Sequence, residues 1–228
     1  MHEPSPTDTQ ILIAEHGSLL SARGLVYNEA FTRVSTFLTF LSMSFVALAL
    51  LTQAMGFTRD FLVVAAIVLS FDFLIGVTTF TRILDVIAEH LRAMHRMNRI
   101  RHAYIQIAPH VAPYFTTGAH DDLASVMTSY SVGGPKRSML ADVAYAFSTS
   151  LGQVLMIAAM VGGVLASVIT LAAGGTGWLA VAVAIGATLV VLLSLGRWAA
   201  VEIPRSQAAL PVRFPAPPTE SEPSQPVE

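Results

Sequence analysis

Residues 61–81 read FLVVAAIVLSFDFLIGVTTFT, and the only ionisable side chain among them is Asp72. An α-helix rises about 1.5 Å per residue, so about 20 apolar residues cross the hydrocarbon core of a bilayer. This stretch has that length. Three more behave alike: Ser35 to Met55, Leu151 to Ala173 and Trp178 to Leu195. The four together predict an all-α integral membrane protein with four transmembrane helices arranged as two hairpins.

Composition agrees. Apolar residues make up 54% of the 228 positions and charged residues 12%, with a mean hydropathy of +0.62. An ordinary soluble domain is about 25% charged. The net charge of −2 gives no basic field for nucleic acid. The absence of cysteine removes disulfides, thiolate chemistry and cysteine zinc sites. Of the 13 basic residues all but Lys136 are arginine, a usage that points to a GC-rich bacterial genome.

The basic residues also orient the chain. Arg23 and Arg33 precede span one. Arg82, Arg92, Arg96, Arg99, Arg101, Lys136 and Arg137 lie between spans two and three, and Arg197, Arg205 and Arg213 follow span four. Arg59 stands alone on the other side. The excess of Lys and Arg marks the cytoplasmic side, so both termini and the middle segment are expected in the cytoplasm of a bacterial inner (plasma) membrane. The outer connections are short: Gly56-Phe57-Thr58-Arg59-Asp60 and Gly174-Gly175-Thr176-Gly177. Glycine supplies the positive φ such turns need. Residues 1–33 lack a basic region leading into an apolar run and a cleavage site, so span one itself is expected to be the retained insertion signal.

The organisation read from sequence has five parts. Residues 1–33 form an N-terminal segment with an amphipathic helix from Gly17 to Arg33. Residues 34–81 are the first hairpin. Residues 82–150 hold a cytoplasmic helix continuing span two, then an irregular insert. Residues 151–197 are the second hairpin. Residues 198–228 form a proline-rich tail expected to be disordered, because its composition cannot bury a core. The helix after span two carries Leu84, Ile87, Leu91 and Met94 at 3-4-3 spacing, a stripe that seeks a partner helix, and Pro109 and Pro113 end it. Glu89 and Arg92 are spaced for an ion pair. A short helix is expected from Asp121 to Thr128, and residues 138–150 as an early start to span three.

Asp72 is the sharpest single residue. At mid-span it costs about 2.5–3.5 kcal/mol to insert, so it should face the bundle interior and be paired or protonated. Ala65, Asp72, Gly76 and Thr79 share one helix side, with Ser44, Gly162, Gly163 and Gly186 near the same depth. Two readings stand: a proton- or cation-handling site built on Asp72 and Ser44, or a carboxyl group hydrogen-bonded to Ser44 as packing glue. Ala158, Gly162 and Ala166 form one small-residue ridge and Ala159, Gly163 and Ser167 the next; with Gly76 and Gly186 they are expected to let helices approach closely. Trp178 and Trp198 suit interfacial anchors.

Arg92, Arg96 and Arg99 form a basic ridge. It serves either anionic lipid headgroups, each residue contributing about 1 kcal/mol, or topology alone. The histidines His90, His95, His102, His110 and His120 lack established zinc spacing, and no metal or cofactor is expected. Gly133-Gly134-Pro135-Lys136-Arg137-Ser138 lacks the phosphate-loop spacing. With a Gly-x-Ser-x-Gly elbow and a His-Glu-x-x-His helix also missing, an enzyme is not expected.

Tyr27-Asn28-Glu29-Ala30-Phe31 and Met97-Asn98-Arg99-Ile100-Arg101-His102-Ala103-Tyr104 resemble segments of uncharacterised bacterial multi-pass membrane proteins, over about residues 20–200. A looser architectural similarity is to small membrane effectors of bacterial conflict systems, although a second hairpin departs from that plan. The resemblance implies a four-span membrane protein and carries no activity. The expected function is therefore non-enzymatic: structural, regulatory or scaffold, with the cytoplasmic helix as interaction surface. The expected partners are the lipid bilayer and either further copies of the chain or a cytoplasmic protein. The alternative is a small oligomeric channel, transporter or permeabilising effector using Asp72.

Overall fold

The computed structural model describes residues 5–129, 147–208 and 210–217. Its described secondary structure is helical: α1 (Pro6–Met55), α2 (Arg59–Ile107), a 3-10 turn (Pro109–Tyr114), α3 (Leu123–Ser129), α4 (Ser150–Ala172) and α5 (Gly177–Ala208). Four of these, α1, α2, α4 and α5, are long and apolar enough to span a membrane.

Local chemistry accounts for the helix ends. Ser5 and Asp8 cap α1 reciprocally: the Asp8 N–H donates to Ser5 Oγ at 3.2 Å and the Ser5 N–H to Asp8 Oδ2 at 2.8 Å. This is a capping box with Pro6 at the first helical position. Thr58 accepts from the Phe61 N–H at the start of α2, and Thr149 from the Gly152 N–H at the start of α4. Gly56 (φ 64°) follows α1 and Gly174 (φ 85°) follows α4, both in the left-handed region where a Cβ is strained. Pro109 lies just past the end of α2, as its missing N–H requires. Gly17 and Gly24 lie inside α1 without stopping it; a lone glycine costs a helix only about 1 kcal/mol against alanine.

The chain divides into two compact units. One comprises the described parts of Met1–Ser21, His90–Gly134 and Ala209–Glu228, the other Ala22–Glu89 and Pro135–Ala208. In the second unit all four long helices contribute to one core: Phe37 and Leu41 from α1, Leu69, Phe80, Ile83 and Leu84 from α2, Val154 and Val161 from α4, and Ala199 from α5. Contacts step in opposite directions along α1 and α2. Glu29 meets Arg82, Phe37 lies against Gly76, and Ser44 meets Asp72. The same holds for α4 and α5, where Leu155 lies near Gly196 and Gly163 against Thr188 and Ala184. Large apolar side chains remain exposed along these helices, among them Phe45, Val46, Ile67, Phe71, Val181 and Leu193.

Several expectations need correction. The stripe on α2 is not exposed: Leu84, Leu91 and Met94 are buried and Ile87 is partly so, because the chain supplies its own partners. The region from 198 is not a structureless tail. Helix α5 continues to Ala208 through Pro204, carried by Ala199 in the core, by Ile203 packed against it and by Trp198, whose ring lies 6.3 Å from that of Phe80. Residues 210–217 are held by side chains described below, and 218–228 lie outside the described residues. The short helix begins at Leu123 rather than Asp121, with Asp122 as its cap: Asp122 Oδ2 accepts from the Ser125 N–H at 3.1 Å. Of the early start to span three, 138–146 lies outside the described residues.

Candidate functional site

Two carboxylates dominate the buried polar chemistry, one in each unit. In the helical unit, Asp72 is 3% exposed. Ser44 donates to its Oδ1 at 3.0 Å, while Oδ2 is buried without a hydrogen-bond partner. The helix side predicted for it is buried throughout: Ala65 and Thr79 with Asp72, and Gly76 as well. The structure thus joins the two residues named as an ion- or proton-handling pair and leaves one carboxyl oxygen unsatisfied.

The small-residue positions separate into three kinds. Gly76 lies where a Cβ would stand 3.1 Å from the Phe37 ring and 3.2 Å from Ala158 Cβ. A Cβ on Gly162 would meet the Phe73 ring at 2.9 Å; one on Gly163 would collide with the Thr188 hydroxyl and stand 2.7 Å from the Ala184 carbonyl oxygen. Ala158 is fully buried and Ala166 half-buried. Gly186 is the exception: it is exposed and a Cβ there meets nothing within 4 Å. Its depth along α5 matched the others, but its helix face points away from the contact.

Midway along α2, Arg82 joins two carboxylates. Its Nη2 lies 2.8 Å from Glu29 Oε2 and its Nη1 3.2 Å from Glu89 Oε1, while Arg33 adds a second contact to Glu29 at 3.0 Å. The hydrogen bonds from Arg82 and Arg33 pull the Glu29 carboxyl down to about 2. Glu89 therefore turns to Arg82 rather than to Arg92.

The other unit holds the denser constellation, centred on Asp121, whose side chain has no exposure. Its carboxylate accepts from Arg99 Nε at 2.7 Å, from the Arg213 N–H at 2.9 and 3.1 Å, and from the Phe214 N–H at 2.7 Å. The Asp121 N–H donates back to the Phe214 carbonyl at 3.1 Å, and the Ala216 N–H donates to Asp122 Oδ1 at 3.0 Å. Arg99 Nη2 also donates to the Pro211 carbonyl, and the Phe214 ring stacks on His102 at 4.4 Å. Burial works to raise the Asp121 carboxyl, but the Arg213 N–H, Arg99 and the Phe214 N–H outweigh it and hold it below the usual carboxylate range. Carboxylates accepting several N–H bonds behave this way.

Beneath this lies Asn98, fully buried. It donates to the His120 carbonyl at 2.9 Å and accepts from Arg101 at 2.7 Å and Ser129 at 3.1 Å. His95, three residues earlier on α2, is also buried, with Nε2 3.7 Å from Asp121 Oδ2. Burial, then the Arg99 charge, lower its pKa against the opposing pull of Asp121. Among the described residues, no three His, Asp or Glu side chains stand close enough to hold a metal ion.

The basic ridge is split as a result. Arg92 and Arg96 are exposed, while Arg99 is committed to Asp121 and the tail. Sequence reading missed Asn98, His102 and Phe214 as partners. For Asn98 a signal existed: it extends the 84-87-91-94 stripe by four residues, so a polar group falls on the buried face. For the tail contacts no local pattern exists, since Asp121 and Phe214 are 93 positions apart. Compared with known proteins, the chain matches no protein-family model, no curated protein and no solved structure.

Proposed function

We propose that the chain is a non-enzymatic protein of the bacterial inner membrane, structural, regulatory or scaffold in type. Four transmembrane helices, as two hairpins with both termini in the cytoplasm, carry a folded cytoplasmic interaction body. The observation that carries this reading is the Asp121 cluster. Its carboxylate is spent on main-chain N–H groups and a guanidinium, which is recognition chemistry rather than proton or group transfer. The exposed apolar side chains on the long helices support contact with lipid or further copies of the chain. The opposed contacts of α1 with α2 and of α4 with α5 support the hairpins, and the sorting of arginines supports the orientation. The interaction surface is not the Leu84–Met94 stripe, which is internal.

The natural chain has no cysteine, so single-cysteine variants give an unambiguous test. In spheroplasts, Thr58→Cys and Thr176→Cys should react with an impermeant maleimide, whereas Thr117→Cys should react only after lysis. Reversed labelling would sink the orientation. Chemical crosslinking in membranes should recover a complex of more than one chain; a strictly monomeric, partnerless chain would count against a scaffold.

A second reading is favoured by one specific feature, the unsatisfied Asp72 Oδ2. On that reading the protein is a small oligomeric channel, transporter or permeabilising effector. Proton or cation flux in liposomes that Asp72→Asn abolishes, with the oligomer intact, would put it first.

A further inference from the structure

The contacts around Asp121 have the form of a receptor holding a short peptide that bends at Arg213 and Phe214, which turns both of their N–H groups to one carboxylate. Six consecutive residues, Pro211 to Ala216, are gripped mainly through their backbone. The N–H groups of Arg213 and Phe214 go to the Asp121 carboxylate and that of Ala216 to Asp122. Between them stands Pro215, which has no N–H to satisfy. The Pro211 carbonyl takes Arg99, and the Phe214 carbonyl takes the Asp121 N–H. One side chain sets the register: the Phe214 ring stacked on His102 at an interplanar angle of 21°. The receptor groups are buried or partly buried, Asp121 most of all, whereas residues 211–217 remain exposed. An ordinary core segment would be the reverse: it would bury side chains. Here the segment lies on the surface and the acceptor beneath it is buried.

We propose that Asp121, Asp122, Arg99 and His102 form a binding site for a bent, proline-flanked peptide segment. Residues 211–216 are its tethered ligand, occupying the site in cis and closing it to the same segment of a second copy. The ligand class follows from the acceptors: two successive N–H groups, an aromatic side chain at the second of them, proline next, and a further N–H after the proline. Prolines at both flanks lower the entropy lost on docking, since φ is already fixed. The cis occupant has the advantage of tethering, so a second copy's segment enters only when the resident one is weakened or drawn away. The proposal concerns the partner of the interaction body described above, yet the site stands whether or not that body is a scaffold. Its test accordingly reads peptide binding and not assembly.

The test uses the full chain in detergent micelles and a fluorescent peptide of residues 210–217, LPVRFPAP. Phe214→Ala on the protein removes the tethered ring without touching the receptor. The loss of one ring stack is expected to free the site enough that the labelled peptide binds this variant about three- to tenfold more tightly than wild type. Adding Asp121→Asn to Phe214→Ala should return binding to the level of a peptide in which Phe is replaced by Ala. Hydrogen exchange at the Arg213 and Phe214 amides provides a second readout: protected in wild type, faster in Phe214→Ala and in Asp121→Asn alone, with α3 amides unchanged as the check on folding. Two results overturn the proposal. One is a Phe214→Ala chain with a freely exchanging tail that takes up the peptide no better than wild type. The other is exchange at residues 213 and 214 that neither variant alters.

Discussion

Substituting Gly163 by alanine tests the helix packing most directly. A Cβ at that position would collide with the Thr188 hydroxyl and stand 2.7 Å from the Ala184 carbonyl oxygen, where ordinary contact begins at 3.4 Å. The threonine can rotate, but it then gives up its 2.9 Å hydrogen bond to the Ala184 carbonyl. The carbonyl belongs to the α5 backbone and cannot rotate away, so α4 and α5 must separate by about 0.7 Å. Overpacking of this kind costs about 1–3 kcal/mol, and the lost hydrogen bond about 0.5–1.5 kcal/mol. Alanine returns up to about 1 kcal/mol through its better helix propensity. The net expectation is a destabilisation of about 1–3 kcal/mol. Gly186→Ala is the matched control: a Cβ there meets nothing, so only the propensity gain remains. The assay is reversible unfolding by SDS titration in mixed micelles, followed by circular dichroism. Thr188→Ala combined with Gly163→Ala should restore part of the loss and no more, because the Ala184 carbonyl stays in place. If Gly163→Ala proves as stable as Gly186→Ala, the close approach of α4 and α5 at this level is wrong.

The remaining predictions concern the polar groups. Ser44→Ala removes the donor to Asp72 Oδ1 and leaves a buried carboxyl group wholly unsatisfied; the same titration should register a loss of about 1–3 kcal/mol. Arg82→Ala removes the larger of the two basic partners of Glu29, so the Glu29 carboxyl should climb from about 2 toward its ordinary 4.5, as read by carbon-detected NMR titration; an unmoved value would show the pair does not form in solution. Acidification should loosen the Asp121 unit in two stages, because two histidines, His16 and His95, and two carboxyl groups, Asp121 and Asp122, are lowered on folding. A lowered group contributes stability that is present above its unfolded value and lost as pH falls through the folded one. The His95 contribution should therefore weaken below its ordinary 6.5, and that of Asp121 below its ordinary 3.8. Exchange protection of the Arg213 and Phe214 amides, corrected for intrinsic rates, should fall in those two windows. His95→Asn should shrink the first fall and keep the second; a first fall of unchanged size would contradict the assignment.

How much of this was legible in advance differs between the two units. Periodicity placed Ala65, Asp72, Gly76 and Thr79 on one buried side of α2 because a helix turns by a fixed angle per residue. Depth along the span then brought Ser44 to Asp72. The same depth argument misplaced Gly186, since depth says nothing about rotation about the helix axis. On α2 the stripe from Leu84 to Met94 was legible as an apolar face, but it was expected as an interaction surface and is instead buried within the chain. Its partner was a different matter, because apolar periodicity states that something must cover a face and not what.

The sequence alone determined the four long apolar helices, the proline and glycine punctuation at their ends, and the inward direction of Asp72. These follow from hydrophobicity, missing N–H groups and backbone sterics, all local to a few turns of chain. Only the tertiary structure decided that Gly163 rather than Gly186 lies at the α4–α5 contact, that Arg82 bridges Glu29 and Glu89, and that Asp121 grips a segment 90 residues further on. Those pairings depend on the rotation and offset of whole helices. Each is a small difference among many competing ways to cover the same buried faces, and no neighbouring residue records which one wins.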